Sequence, residues 1–350
     1  MTATFSIRGR LIGRGEPTYV IAEMSANHGH RYDDAVRLVH AAKEAGADAV
    51  KLQTYTPDTI TIDCGRPEFL IAGGSLWDGR RLYELYGEAY MPWEWQPKLK
   101  AIADDVGIHL FSTPFDATAV DFLEAMDVPA YKIASLELVD IPLIQRVART
   151  GRPVIMSTGA STLREIADAV GACRAASNEA LALLKCTSAY PAPLAEMNLA
   201  TIPHLAAAFN VPVGLSDHTL GIAVPVAAVA LGACIIEKHF TPSRAVPGPD
   251  SAFSLEPDEF KAMVEAVRAA EEALGTVSYA VTEHEAPSRA FRRSLYVVRD
   301  MRAGEPFTVA TVRCIRPSNG LPPKHLGQIL RRRASRDIAA GTPLSWELLG

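Results

Sequence analysis

Two histidines and a set of lysines carry the chemistry that can be read from this sequence. His218 closes the short run PVGLSDH (212–218), and His239 stands near the end of the next, CIIEKHF (234–240). A single imidazole in such a place reads as a hydrogen-bonded structural group, but two on neighbouring strands can share one divalent ion. Neither run has a cysteine near its rim end, so a site completed by water and substrate oxygens suits Mn²⁺, with Mg²⁺ or Co²⁺ as alternatives. Open coordination positions let such an ion polarise a carbonyl. Lys51 and Lys132 supply positive charge for a phosphate, with Ser157 and Thr158 nearby and backbone N–H groups around Gly159 for the remaining oxygens. Lys132 has a rival role as a Schiff-base lysine of the sort many barrel aldolases use. Glu23 and Glu137 are acid–base or hydroxyl-binding candidates, or else carboxylate partners of the lysines.

These residues must be positioned by strands. The β-branched runs YVIAEMS (19–25), AVKLQTY (49–55), HLFSTPF (109–115), AYKIAS (130–135), PVIMSTG (153–159), LLKCTS (183–188), PVGLSDH and CIIEKHF alternate with amphipathic or Ala-rich stretches. The stretches expected to be helical are 33–45, 94–106, 118–126, 142–150, 163–175, 200–209, 224–231 and 257–274, the last stopped by Gly275. Strand–helix alternation implies a parallel sheet, and eight repeats match a closed (β/α)8 TIM barrel, whose active site lies at the C-terminal strand ends. No GxGxxG follows the first strand, which disfavours an open doubly wound sheet. Polar residues concentrate at those ends: Glu23 and Ser25, Lys51 and Gln53, Lys132, Ser135 and Glu137, Ser157, Lys185 and Tyr190, Ser216, then Glu237 to His239. An apolar barrel core has no use for so many ionisable groups, because burying unpaired charge costs several kcal/mol.

The barrel is expected over residues 1–275, a linker over 276–290 and a compact β-rich module over 291–350. Nearly forty residues separate strand 2 from its helix, where barrel loops usually have about two to six. Trp77, Tyr83, Tyr86, Tyr90, Trp93 and Trp95 fall in this insertion, as a satellite core, a lid over substrate, or both. The formal charge of -5 and pI near 6.0 argue against nucleic-acid or anionic-membrane partners. Five scattered cysteines with no CxxC pair, and a start without a signal-like apolar core, set a reducing cytoplasm as the expectation. The Arg331–Arg333 run reads as a solvated face or a contact to a partner barrel.

The strings IAEMSANH (21–28), AGADAVKLQTY (45–55), YKIAS (131–135), STG (157–159), CTSAYPAP (186–193), GLSDHTLG (214–221), EKHF (237–240) and GPDSAFSLEP (248–257) closely resemble the sialic acid synthase family over nearly the whole chain. RRSLYVVRDMRAGE and IRPSNGLPP resemble its C-terminal antifreeze-like (SAF) domain. The insertion LWDGRRLYELYGEAYMPWEW (76–95) is similar to that of the family's pseudaminic acid branch, which acts on 2,4-diacetamido-2,4,6-trideoxy-altrose.

The resemblance implies condensation of phosphoenolpyruvate with an open-chain N-acetylated sugar aldehyde, releasing phosphate. His218 and His239 would then hold the metal that orients the aldehyde. Lys51, Lys132, Ser157 and Ser216 would surround phosphoenolpyruvate, with Gln53 and Ser135 beside them. Glu23 would bind sugar hydroxyls, Glu137 would manage the water that adds at C2, and Tyr190 and Asp250 would lie near the sugar or the metal's water. Arg316 would reach the sugar from the SAF domain of a second subunit, implying an exchanged homodimer. Two positions depart from the family pattern: Ser318 stands where a glycine is usual, and Gly29-His30 where Asn-Gly is usual. The alternatives are an N-acetylneuraminate or legionaminate synthase of the same family, a Schiff-base pyruvate aldolase using Lys132, and a non-catalytic carbohydrate- or ice-binding protein.

Overall fold

A computed structural model describes residues 4–74 and 76–350, and the chain divides into two compact units, Met1–Gly275 and Thr276–Gly350. In the first unit a short antiparallel hairpin, β1 (Phe5–Ile7) and β2 (Arg10–Ile12), precedes eight parallel strands: β3 (Tyr19–Glu23), β4 (Ala49–Thr54), β5 (His109–Pro114), β6 (Tyr131–Ile133), β7 (Val154–Ser157), β8 (Leu181–Cys186), β9 (Val213–Asp217) and β10 (Ile235–His239). They hydrogen-bond in chain order and close where β10 pairs with β3. All eight runs expected from the sequence are strands, seven of them shorter by one to three residues in all and β8 of the same length but beginning and ending two residues earlier. Every residue of β3, β9 and β10 is buried, as expected for strands covered on both faces.

The covering helices are Tyr32–Glu44, Gln96–Val106, Ala117–Ala125, Ile141–Ala148, Leu163–Ala175, Thr201–Phe209, Ala223–Ala230 and Pro257–Leu274. Their starts are locally encoded. Asp116 and Asp140 accept backbone N–H groups of the first turn, and Thr162 with Glu165 forms a reciprocal capping box. Gly107 ends its helix in the left-handed region, where glycine has no Cβ penalty.

Gly214 on β9 has a different reason to be glycine. A Cβ there would lie 2.4 Å from the Ile235 carbonyl oxygen and 2.7 Å from Leu184 Cδ2. Backbone cannot retreat as a side chain can, so Gly214→Ala should destabilise the barrel by about 3 kcal/mol. A thermal melt at least several degrees below wild type is the expected measurement; an unchanged Tm would show that the strands can part.

The hairpin β1–β2 was not anticipated. It buries Phe5, Ile7 and Ile12 in the barrel's hydrophobic cluster. Its turn is held by Arg8 to Asp104 and Asp127 and by Arg10 to Asp48. Asp48 directly precedes β4, which places the hairpin at the N-terminal mouth.

The insertion contains the helix Leu82–Ala89 and several short turns. Its far end is anchored: Trp93 donates to the Tyr55 carbonyl at 3.0 Å and packs on Phe122, while Trp95 packs on His28 and Tyr32. Among the described residues, no helix is long and apolar enough to cross a membrane.

The second unit begins with exposed chain; Val277 and Tyr279 are 94% and 97% exposed. A short 3-10 helix, Ala286–Phe291, leads into β11 (Ser294–Val297), which pairs antiparallel with β12 (Val312–Ile315). Isolated bridges such as Met301 to Ile338 and Ala334 to Leu349 hold the remainder together. Its own core comprises Leu295, Val297, Phe307, Val312, Ile329 and Leu344 among others. The β-rich module is therefore largely loops tied by single bridges.

Candidate active site

Residues two apart on a strand share a face, and the parallel register carries that face around the barrel. Glu23 is level with Lys51, and both Cys186 and Glu237 are level with Ser216. The resulting inner face brings two lysines and two carboxylates together. Lys51 Nζ lies 2.7 Å from Glu23 and 3.8 Å from Glu237, and donates to Thr113 Oγ1 at 3.2 Å. Lys132 Nζ donates to Ser157 Oγ at 2.6 Å and lies 3.7 Å from the same Glu237 oxygen. Ser216 Oγ donates to that oxygen at 3.1 Å, whereas Glu237 Oε2 is buried with no hydrogen-bond partner.

The charge states follow from these neighbours. Burial, partly offset by Lys51 and reinforced by Glu237, pushes the Glu23 carboxyl up to about 7. Burial opposes ionisation of Glu237 too, but Lys132 and Lys51 together hold it below the usual carboxylate range. Burial pulls the Lys132 ammonium down from its ordinary value. Lys51 suffers the same burial, but Glu23 and Glu237 more than compensate and raise it. Near neutral pH two ammonium groups thus face one fully charged carboxylate and one shared with a proton. The surplus is positive and suits an anionic ligand.

His218 and His239 meet beside this cluster, with ring centroids 5.4 Å apart and planes at 62°. His218 Nδ1 lies 3.0 Å from the Thr187 carbonyl oxygen. A carbonyl only accepts, so Nδ1 carries a proton. Burial opposes the imidazolium, but Cys186 and that carbonyl outweigh it and raise His218, so Nε2 offers its lone pair to an ion by giving up its proton. His239 is 8% exposed, and its Nδ1 has no hydrogen-bond partner. Burial, then the positive charge of His218 and Lys51, holds the His239 imidazolium well below its usual range, so the ring is neutral. Two imidazoles bound at about 2.1 Å to one ion at a tetrahedral-like angle would have centroids roughly 5.3 Å apart. The pair therefore fits a shared divalent ion. Among the described residues no group of three His, Cys, Asp or Glu forms a cage, which leaves the other positions to water or substrate oxygens.

The remaining expected residues fall around these two clusters, with one exception. Gln53 Nε2 donates to Glu23 Oε1 at 3.0 Å and to Ser25 Oγ at 2.9 Å. Ser25, in the left-handed region at φ 45°, in turn donates to Asp250, and Asp250 Oδ2 lies 4.0 Å from His239 Nδ1. Tyr190 packs its ring 4.3 Å from that of His218. Ser135 Oγ accepts the Gly159 N–H at 3.1 Å; a Cβ on Gly159 would sit 2.7 Å from that oxygen and 2.2 Å from Ser188 Oγ. Gly159 thus lets the Ser135 and Ser188 hydroxyls approach the backbone more closely than any side chain would allow. Glu137 lies in the turn Leu136–Val139, and burial raises its carboxyl against the pull of Lys132. Arg316 is exposed in the second unit.

Glu237 is the candidate site residue that sequence reasoning passed over. It was noted only as a strand-end group, yet its carboxylate braces both lysines. Its parity with His239 was the available signal. Lys238, of opposite parity, is fully buried against Asp217 as a structural ion pair. The two histidine strands carry no cysteine at their rims, but the strand beside them does. Cys186, at the end of β8, brings Sγ to 3.9 Å from His218 Nδ1. Burial raises that thiol, but His218 outweighs it and lowers the thiol to about 7.

A closed barrel with surplus positive charge and paired imidazoles at its strand ends places the protein among the β/α-barrel enzymes that handle anionic substrates. The chain belongs to the NeuB family, which it matches over residues 38–279; residues 292–350 match the SAF domain. It is 46% identical to the pseudaminic acid synthase of Campylobacter jejuni subsp. jejuni over 93% of this chain and 95% of that protein. Identity to the N,N'-diacetyllegionaminic acid synthase of Legionella pneumophila is 38%, over 96% of this chain and 95% of that one. The crystal structure of the N-acetylneuraminic acid (sialic acid) synthetase of Leptospira borgpetersenii, in complex with citrate, matches with a TM-score of 0.73 at 30% identity, covering 82% of this chain and 95% of that one.

Proposed function

We infer that this chain condenses phosphoenolpyruvate with the open-chain aldehyde of 2,4-diacetamido-2,4,6-trideoxy-altrose, giving pseudaminic acid and inorganic phosphate. The observation that carries the reading is the pair Lys51 and Lys132 braced by Glu237, beside two facing imidazoles, in a chain 46% identical to a pseudaminic acid synthase. A reaction between an anionic enol phosphate and an aldehyde needs both halves.

In this reading Lys132, Ser157 and Ser135 hold the phosphate, with the Ser188 hydroxyl drawn close at Gly159. Lys51 and Ser216 bind the remaining anionic end, and Gln53 and Glu23 orient sugar hydroxyls. His218 and His239 would hold a divalent ion, Mn²⁺ in preference to Mg²⁺ or Co²⁺, and it would supply Lewis-acid polarisation of the aldehyde carbonyl. As C3 attacks the aldehyde, positive charge develops at C2, and the preorganised carboxylates and phosphate stabilise it. Glu137, whose affinity for a proton is raised by burial, takes the proton of the water that adds at C2. The tetrahedral intermediate then loses phosphate by C–O cleavage.

Arg316 reaches the sugar's N-acetyl side from a second copy of the chain, in a cytoplasmic homodimer. Charge supports this docking. Residues 291–350 hold eleven Lys and Arg against four Asp and Glu, leaving twenty-four against thirty-six for the rest of the chain. A basic module and an acidic barrel attract one another.

The test is phosphate release in H2¹⁸O, with the altrose derivative beside N-acetylmannosamine, before and after EDTA. The expected result is release with the altrose derivative, loss with EDTA, recovery with Mn²⁺, and label in the keto acid. Label in the phosphate would mean attack at phosphorus and would sink the mechanism. Release with N-acetylmannosamine alone would move the chain to the neuraminate branch.

A further inference from the structure

The insertion between β4 and its helix delivers one side chain to the wall of the histidine pair. The Trp77 ring lies 5.6 Å from the ring of Tyr190, which itself lies 4.3 Å from His218. The Trp77 indole N–H donates to the Pro249 carbonyl at 3.2 Å, and Pro249 precedes Asp250, the carboxylate beside His239. Trp77 is therefore tied to the surroundings of both imidazoles. Phe253 lines the same region, 5.1 Å from Tyr190 and 4.9 Å from His239. Trp93 and Trp95 fasten the far end of the insertion, whereas Trp77 lies sixteen residues earlier, against the residues around the histidine pair.

We propose that Trp77 determines sugar specificity, its indole forming the apolar outer wall of the aldehyde subsite so that an amino-sugar ending in a methyl group is preferred over the same sugar ending in a hydroxymethyl group. The inference rests on the synthase reading above and goes beyond it by assigning the discrimination to one residue and one carbon of the substrate. With its N–H committed to Pro249, the indole presents carbon to the pocket, as do the faces of Tyr190 and Phe253. A substrate hydroxyl pressed against these rings gives up its water and gains no partner. An apolar site that accepts the deoxy compound rejects its hydroxylated counterpart by about 10²-fold.

The experiment compares kcat/KM for 2,4-diacetamido-2,4,6-trideoxy-altrose and for its 6-hydroxy counterpart, in wild type and in Trp77→Ala, Trp77→Phe and Trp77→Gln. Wild type should prefer the deoxy sugar by about 10²-fold. Trp77→Phe should keep most of that preference. Trp77→Ala should reduce it at least tenfold, with KM for phosphoenolpyruvate unchanged within about twofold, and Trp77→Gln should reduce it further by offering the hydroxyl a partner. Should the alanine variant fail to fold, the phenylalanine and glutamine variants decide. Equal losses for both sugars in every variant would overturn the inference and leave a structural tryptophan. Wild-type enzyme active on both sugars without preference would also overturn it, with the synthase reading intact. Phosphate released from neither sugar removes the pseudaminate reading and this inference together.

Discussion

Lys132→Met should lower kcat/KM for phosphoenolpyruvate by about 10³-fold while leaving the fold intact. Lys132 is 1% exposed, and its ammonium donates to Ser157 Oγ at 2.6 Å. Opposite a phosphate dianion, its removal leaves the Glu237 carboxylate facing like charge. Breaking a buried charge pair from one side costs about 3–5 kcal/mol, and about 1.4 kcal/mol is a factor of ten. In the free protein the change is milder, because methionine fills the same volume and the site without ligand already strains to keep Lys132 charged. Initial rates at varied phosphoenolpyruvate, with a thermal melt alongside, measure both. A loss below tenfold would show that Lys132 is peripheral. The same residue separates the two lysine chemistries. A Schiff-base aldolase would form a borohydride-stable adduct with pyruvate at Lys132, visible as a mass increase; a charge-stabilising lysine would give none.

The second large effect is expected at His239. His239→Ala removes one of two imidazoles and leaves too few donors to retain a divalent ion at working concentration. Activity should fall about 10³-fold, on the scale of losing a single strong electrostatic stabiliser of the transition state. Mn²⁺ should restore EDTA-treated wild type and not the variant. Calorimetric titration with Mn²⁺ gives an independent readout, in which the wild-type isotherm disappears. His218→Ala should behave alike, and the double variant should lose little more than either single one, since residues that act as a unit are not additive. Undiminished Mn²⁺ binding by His239→Ala would mean that the ion sits elsewhere.

Much of this site could be read from the sequence because a β/α barrel turns a one-dimensional pattern into a position. A polar residue after a β-branched run must lie at the rim, and the two-residue strand period sorts Lys51 from Leu52 and His239 from Lys238. Helices capped by Asp116, Asp140 and Thr162 likewise start where their side chains dictate. What stayed hidden depends on distant pairing. Cys186 reaches His218 only through the register of β8 on β9, and no local pattern sets that register. Glu237 had the correct parity but no local mark to distinguish a brace for two lysines from a paired structural ion, which its neighbour Lys238 is. The β1–β2 hairpin has strands of three residues each, too short for periodicity. In the second unit, single bridges replace ladders, so its sequence shows turns without the alternation that marks strands.

The hairpin has a kinetic consequence. It covers the N-terminal end of a barrel whose interior is already filled by side chains, so Lys132, 1% exposed, is approached from the strand-end rim. A phosphate held at Lys132 should then bind before the aldehyde and leave after the sugar acid. Phosphate should accordingly inhibit by competing with phosphoenolpyruvate and not with the sugar.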